Sequence, residues 1–214
     1  MLISGIREFD KKRKKIILDE GAESFLLYNG ELRTLALREG EELSGAQREK
    51  IFEEILKPRA KKKVLYYLKD SDKTSAQIRL KLKQGGYPQE IIEDALAFLE
   101  RHRFVDDKRY AETYTGELKG KKSRREIIAK LKERGISGSD IQEALENLNP
   151  EDEYAACEKA LRGRLGRKRT ELSDPDRQKA YAFLARKGYS YDAIEHAFHA
   201  LVSDGFSQDF MQEV

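Results

Sequence analysis

The chain has 214 residues, 39% of them apolar and 38% charged, with a formal net charge of +3. So much charge excludes one deep apolar core and fits thin helices that each bury one face, while the regular apolar spacing described below excludes a disordered chain. A lone cysteine, Cys157, excludes an internal disulfide, and no run long enough for a membrane span or signal peptide is present, so the reading is a soluble, cytoplasmic protein.

The first thirty residues differ from the rest. Ile3 to Phe9, Lys15 to Leu18 and Glu23 to Tyr28 are short apolar or β-branched segments split by charged turns, which predicts a β-hairpin or a three-stranded meander. Glu31 to Leu37 reads as a short helix. Ser44 to Leu56 reads as a longer one, capped by Ser44, lined by Ile51, Ile55 and Leu56, and ended by Pro58.

Beyond Pro58 the chain repeats. Three glycine stops anchor the register: Gly86-Tyr87, Gly135-Ile136 and Gly188-Tyr189. Five residues after Tyr87, Ile136 and Tyr189 stand Ile92, Ile141 and Ile194. Eight after stand Ala95, Ala144 and Ala197, and twelve after stand Leu99, Leu148 and Leu201. Five before stand Leu82, Leu131 and Leu184. A period of roughly fifty residues is therefore expected, each copy holding three helices. Third helices begin after Pro88, Ser137 and Ser190. The expected fold is mainly α: tandem three-helix repeats in an elongated curved array, with a small N-terminal β element. Its expected parts are 1–57 (β segment plus helix), repeats at 58–104, 105–149 and 150–203, and a weakly patterned tail, 204–214. The third copy has a longer link from Thr170 to Asp176, containing Pro175.

Val105 to Ile136 is the most patterned stretch. Asp106 or Asp107 is placed to cap a helix that carries Tyr110, Tyr114 and Leu118 on one face. Ser123 with Glu126 has capping-box spacing, Ile127 and Leu131 make the next stripe, and Gly135 stands where a helix end takes positive φ.

Charge is sorted by segment. Lys57 to Gly86 carries ten basic and two acidic residues, Glu117 to Arg134 eight and three, and Lys159 to Arg169 six and none. Tyr87 to Glu100 and Ser137 to Glu153 hold acids and no base. If the repeats stack with little rotation, the basic clusters make a stripe suited to a polyanion or an acidic protein surface. The candidate contacts are Lys61, Lys62, Lys63, Lys81 and Lys83 in the first cluster. They are Lys119, Lys121, Lys122, Arg124, Arg125, Lys132 and Arg134 in the second, and Arg162, Arg164, Arg167, Lys168 and Arg169 in the third. Tyr66, Tyr67, Tyr110 and Tyr114 fall on or beside apolar faces, so core packing is their expected role, and contact with nucleic acid would be sequence-independent and salt-sensitive.

No metal-ligand spacing, phosphate loop or nucleophile motif is found, so neither enzyme nor cofactor is expected. The Asp106-Asp107 pair reads as a helix cap, against the alternative of a metal-dependent nuclease. His102, His196 and His199 read as surface or packing residues. A helical nucleic-acid-binding protein of another kind is the other alternative, its basic second helix entering a groove.

The run Val-Asp-Asp-Lys-Arg-Tyr-Ala-Glu-Thr-Tyr, then Ser-Arg-Arg-Glu-Ile and Leu-Lys-Glu-Arg-Gly-Ile, resembles the central signature of the RecX family. Specificity is greatest at Asp106, Asp107, Arg109, Tyr110, Ala111 and Tyr114, and at Lys132 to Ile136, which include Gly135. Lys83 to Pro88 and Arg186 to Tyr189 match as well. The chain departs from the family pattern at Leu118 and at Ser123-Arg124. The resemblance implies a string of three-helix repeats and a regulator that is not an enzyme, and a monomer is expected. It implies binding to the filament of the RecA recombinase on DNA and mostly inhibitory modulation of ATP hydrolysis, strand exchange and repressor self-cleavage. The implied partners are that filament and single- and double-stranded DNA, with no membrane and no cofactor.

Overall fold

Three antiparallel strands open the chain: β1 (Ile3–Glu8), β2 (Arg13–Leu18) and β3 (Glu23–Tyr28), in the order β1-β2-β3. This is the meander of the two forms expected. A computed structural model describes residues 1–166 and 172–210, the side chains of 203–210 excepted. Asp10 makes the first turn: its Oδ1 accepts the N–H groups of Lys12 and Arg13 at 2.9 and 2.8 Å. The Arg13 side chain bonds the same carboxyl and, with those N–H groups, holds it below its usual range. Strand alternation turns Ile16, Leu18, Phe25 and Leu27 into the core.

Helix α1 (Asn29–Thr34) starts before the expected Glu31, because the Glu31 carboxylate reaches back to accept the Tyr28 N–H at 2.7 Å. Helix α2 (Gly45–Lys50) is capped by Ser44 and Gln47, each side chain bonding the other's N–H. Pro58 does not end the helix that follows. The chain passes through a π-helical segment, Ile51–Leu56, straight into α3 (Lys57–Leu68), and Pro58 sits in the first turn of α3. Lys57 N–H donates five residues back to the Phe52 carbonyl. A regular turn would set the proline ring against the preceding carbonyl; widening the turn by one residue relieves that clash without a break.

Helices α4 (Ser75–Gln84) and α5 (Gln89–Arg101) complete the first three-helix unit. The second comprises α6 (Asp107–Leu118), α7 (Arg124–Glu133) and α8 (Gly138–Glu146), and the third α9 (Pro150–Leu165), α10 (Asp174–Arg186) and α11 (Tyr191–Phe210). All three second helices end in one motif. Gly86, Gly135 and Gly188 have φ of +76°, +76° and +84°. Tyr87, Ile136 and Tyr189 each donate to the carbonyl of Leu82, Leu131 or Leu184, at 3.2, 3.1 and 3.3 Å. These are Schellman closures, and they fix the angle at which each third helix returns over the first two. Pro175, expected in a link, lies in the first turn of α10, where its missing N–H costs nothing because Ser173 supplies the cap. Residues 211–214 of the tail lie outside the described residues.

The chain divides into two units, Met1–Asp106 and Asp107–Val214. One core fills the first, where Phe25, Phe52 and Leu56 meet Val64, Ile78, Leu82, Ile92 and Leu99. The second unit holds two smaller cores, one around Ile127, Leu131 and Ile141, the other around Cys157, Leu184 and Ile194. Ser123 joins its repeats: its Oγ accepts the Glu126 N–H at 3.1 Å and donates to the Lys187 carbonyl at 2.7 Å. The Glu126 carboxylate lies 2.8 Å from Lys122 Nζ. The expected Ser123–Glu126 pairing is thus seen as its serine half, with the hydroxyl also spanning to the next repeat.

Cys157 is fully buried, and burial pushes its thiol up to about 12. Only the thiolate attacks a disulfide reagent, so near neutral pH the folded chain is expected to react with Ellman's reagent only as fast as this core opens. A time course at increasing denaturant checks this, and full reaction of native protein on mixing would contradict it. The thiol is raised on folding from 9.0. Its contribution to stability is therefore intact below that pH and is lost as pH climbs toward 12.

Candidate nucleic-acid interface

Part of the sorted charge is neutralised within repeats and between neighbouring ones. Lys61 Nζ lies 3.0 Å from Asp94 on the third helix of its repeat, and Lys57 approaches the same carboxylate at 3.8 Å. Arg79 pairs with Glu93 on that helix. Lys108 pairs with Glu143, which holds in the second repeat the place Asp94 holds in the first. Lys119 lies 3.2 Å from Asp152, and Lys122 is held by Glu126. Exposed pairs of this kind contribute about 0–1 kcal/mol each, so they orient helices more than they stabilise them.

Other cations are given no carboxylate among the described residues. In the second unit they include Lys121, Arg124, Arg125 and Lys132, all exposed. Lys121 stands in the α6–α7 turn beside Gly120, whose φ is +65°. Arg124 and Arg125 are the first two residues of α7. Positive side chains are unfavourable there by about 0.3–1 kcal/mol, because the helix dipole already presents positive charge at that end. The Glu153 carboxylate already offsets part of that cost, accepting the Arg124 N–H at 3.2 Å. Arg125 and Lys132 are seven residues apart and share one side of α7. The stem of Arg125 also seats the next repeat, since a Cβ on Gly188 would stand 2.8 Å from its Cβ and Cδ.

Several candidates have structural duties. Arg134 donates from Nε to the Tyr110 hydroxyl at 3.1 Å and lies 4.3 Å over the Tyr114 ring. Tyr110 and Tyr114 stack on one another and pack against the second-repeat core. Asp107 opens α6, Asp106 directly precedes it and Arg109 is exposed in its first turn. Arg162 and Arg164 are exposed on α9, with Arg164 5.5 Å over the Phe183 ring. Arg167, Lys168 and Arg169 lie outside the described residues. Among the described residues no group of three or more His, Cys, Asp or Glu is placed to hold a metal ion, and no helix is long and apolar enough to cross a membrane. His196 stacks on Tyr154, 4.5 Å away, and lies 3.1 Å from Glu158.

In the first unit Lys62, Lys63, Lys81 and Lys83 are exposed on α3 and α4, and here the aromatic expectation fails at one position. Tyr66 is 63% exposed, because it lies two residues, about 200°, round α3 from the buried Val64. It borders a groove of about 290 Å³ that also takes in Arg13, Tyr28, Arg59 and Tyr87. Of those four the sequence marks only Tyr87, as an anchor of the repeat, and none as a binding residue. Arg13 and Tyr28 come from the sheet, far from the lysine runs, and only the tertiary fold brings them to α3.

Comparison with known proteins agrees with this architecture. The models of the first, second and third RecX three-helix domains match residues 60–99, 106–145 and 151–198. The regulatory protein RecX of Clostridium acetobutylicum is 31% identical over 150 residues, 68% of this chain and 70% of that protein. That of Clostridium tetani is 29% identical over 206 residues, 94% of each. A crystal structure of regulatory protein RecX superimposes with a TM-score of 0.63 at 28% identity, covering 95% of this chain and 98% of the other. With three domain models in register on its three helical units, this chain belongs to the RecX family of regulatory proteins.

Proposed function

We propose that this chain is a cytoplasmic, non-enzymatic regulator that binds the filament of the RecA recombinase on DNA and mostly inhibits its ATP hydrolysis, strand exchange and coprotease action. Family membership supports the choice of partner. The observation that carries the reading is the set of exposed cations without carboxylate partners, Lys121, Arg124, Arg125 and Lys132 in the second unit and Lys62, Lys63 and Lys83 in the first. A nucleoprotein filament offers regularly spaced phosphates to such side chains. Several weak contacts on one polymer would sum to a useful affinity without any base being read.

The test is the rate of ATP hydrolysis by RecA on single-stranded DNA, with and without the chain. A rate that falls as the chain is added, and recovers as salt is raised, is expected. A rate indifferent to the chain at every concentration would refute the regulatory part of the proposal.

A further inference from the structure

We infer that the groove between β3 and α3 binds single-stranded nucleic acid, stacking a base on Tyr66 while Lys62 and Lys63 hold the adjoining phosphates. Four tyrosines line this groove: Tyr28, Tyr66, Tyr67 and Tyr87. Four cations line it too: Arg13, Arg59, Lys62 and Lys63. No acid is among the lining residues. Tyr67 and Tyr87 are half-buried and form the floor, whereas Tyr28 and Tyr66 leave 42% and 63% of their surface in water. Arg13 and Arg59 are paired with Asp10 and Glu31, but Lys62 and Lys63 are given no carboxylate among the described residues. Flat rings kept exposed beside such lysines are what a stacking platform for unpaired bases requires.

The platform is already held in place. Arg59 donates to the Leu26 carbonyl at 3.1 Å, pairs with Glu31, and lies 4.8 Å over the Tyr28 ring. Lys63 Nζ lies 5.4 Å from the Tyr66 ring centre and 5.3 Å from that of Tyr67. Gly86 closes the floor against β3, where a Cβ would stand 2.6 Å from Leu26 Cδ1. At about 290 Å³ the groove is at the small end of ligand sites, near the roughly 300 Å³ lower limit, which suits one nucleotide and not a duplex. A duplex also keeps its base faces inside its own stack. An acidic peptide would satisfy the lysines but would give Tyr66 no planar partner. Much of the wall, including Arg13, Leu26, Tyr28 and Arg59, precedes the matched segment 60–99.

This deepens the proposal that the chain contacts the DNA of the filament, and rests on it, but the test uses the full chain alone. A recombinase assay that fails would leave this result readable. Anisotropy of a labelled oligothymidylate is compared with that of an abasic strand of equal length. The wild type is expected to prefer the base-bearing strand about tenfold, the scale of one base–aromatic stack, and Tyr66→Ala to abolish that preference. Lys62→Glu with Lys63→Glu is expected to weaken both strands alike and to reduce the salt slope by about 1.4. The chain has no tryptophan, so Tyr66→Trp supplies a sole indole whose emission the thymidylate strand, and not the abasic one, is expected to quench. Equal binding of the two strands by the wild type would overturn the inference. So would a preference that survives Tyr66→Ala, or a strand displaced by oligoglutamate that quenches the indole equally.

Discussion

Reversing Lys121, Arg124, Arg125 and Lys132 to glutamate is expected to weaken DNA binding by about 100-fold or more and to flatten its salt dependence. Each cation that neutralises one phosphate releases condensed counterion and adds roughly 0.9 to the slope of log affinity against log salt, so four lost contacts remove a slope of about 3 to 4. The change should be uniform across DNA sequences, because no base edge is read. Stability should change little. All four side chains are exposed, and glutamate keeps the Cβ and Cγ that Arg125 lays along Gly188. At the start of α7 the reversal replaces two positive side chains with acids that the helix dipole favours, a gain offset by repulsion from Glu153, whose carboxylate accepts the residue-124 N–H at 3.2 Å. A titration of labelled strands at several salt concentrations, with melting curves beside it, checks both halves. Weakened binding with an unchanged slope would mean that these residues act through folding and not through phosphate contact.

Phe52→Ala is expected to cost about 3–5 kcal/mol, the largest stability loss of any single substitution considered. Phe52 is 1% exposed, meets Phe25 edge-to-face at 5.7 Å, and carries the Arg48 guanidinium 3.9 Å above its ring. Arg48 is held there by Glu23, which raises its pKa ahead of the opposing effect of burial, and also by Glu90. Truncating the ring removes the surface on which strand, π turn and third helix converge, and leaves that cation over a void. The residue belongs to the core of the first unit, whereas Cys157 lies in a core of the second. Calorimetry should show the first unit's transition lowered, while the Cys157 thiol stays as slow to react as in the wild type. A thiol that became reactive in step with that transition would show the two units unfolding together.

The repeat was legible because its cause is local and recurs. A Schellman turn demands a residue tolerant of positive φ, and the apolar positions about it are set by helical period, so Gly86, Gly135 and Gly188 announce the same structure three times. Pro58 misled because a proline in a helical pattern normally stops it, and nothing in the flanking sequence signals that a π turn will absorb the ring. The basic residues were visible as composition, but composition does not say which of them a third-helix carboxylate holds. Lys61 and Lys62 are neighbours in sequence, yet the first faces Asp94 and the second faces solvent. Tyr66 and Tyr67 look equivalent for the same reason, and one step round the helix separates an open ring from a half-buried one. The groove itself was not legible, since Arg13 and Tyr28 reach α3 only through the pairing of β2 with β3 and the packing of that sheet.

Affinity of the chain for RecA filaments assembled on single-stranded DNA, measured against salt for the wild type and the four-residue reversal, tests the account most directly. Saturable binding by the wild type that weakens steeply with salt, and near loss of binding in the variant, is the predicted result. Equal affinity and equal slope for the two proteins, or no binding of the wild type to the filament, would contradict it.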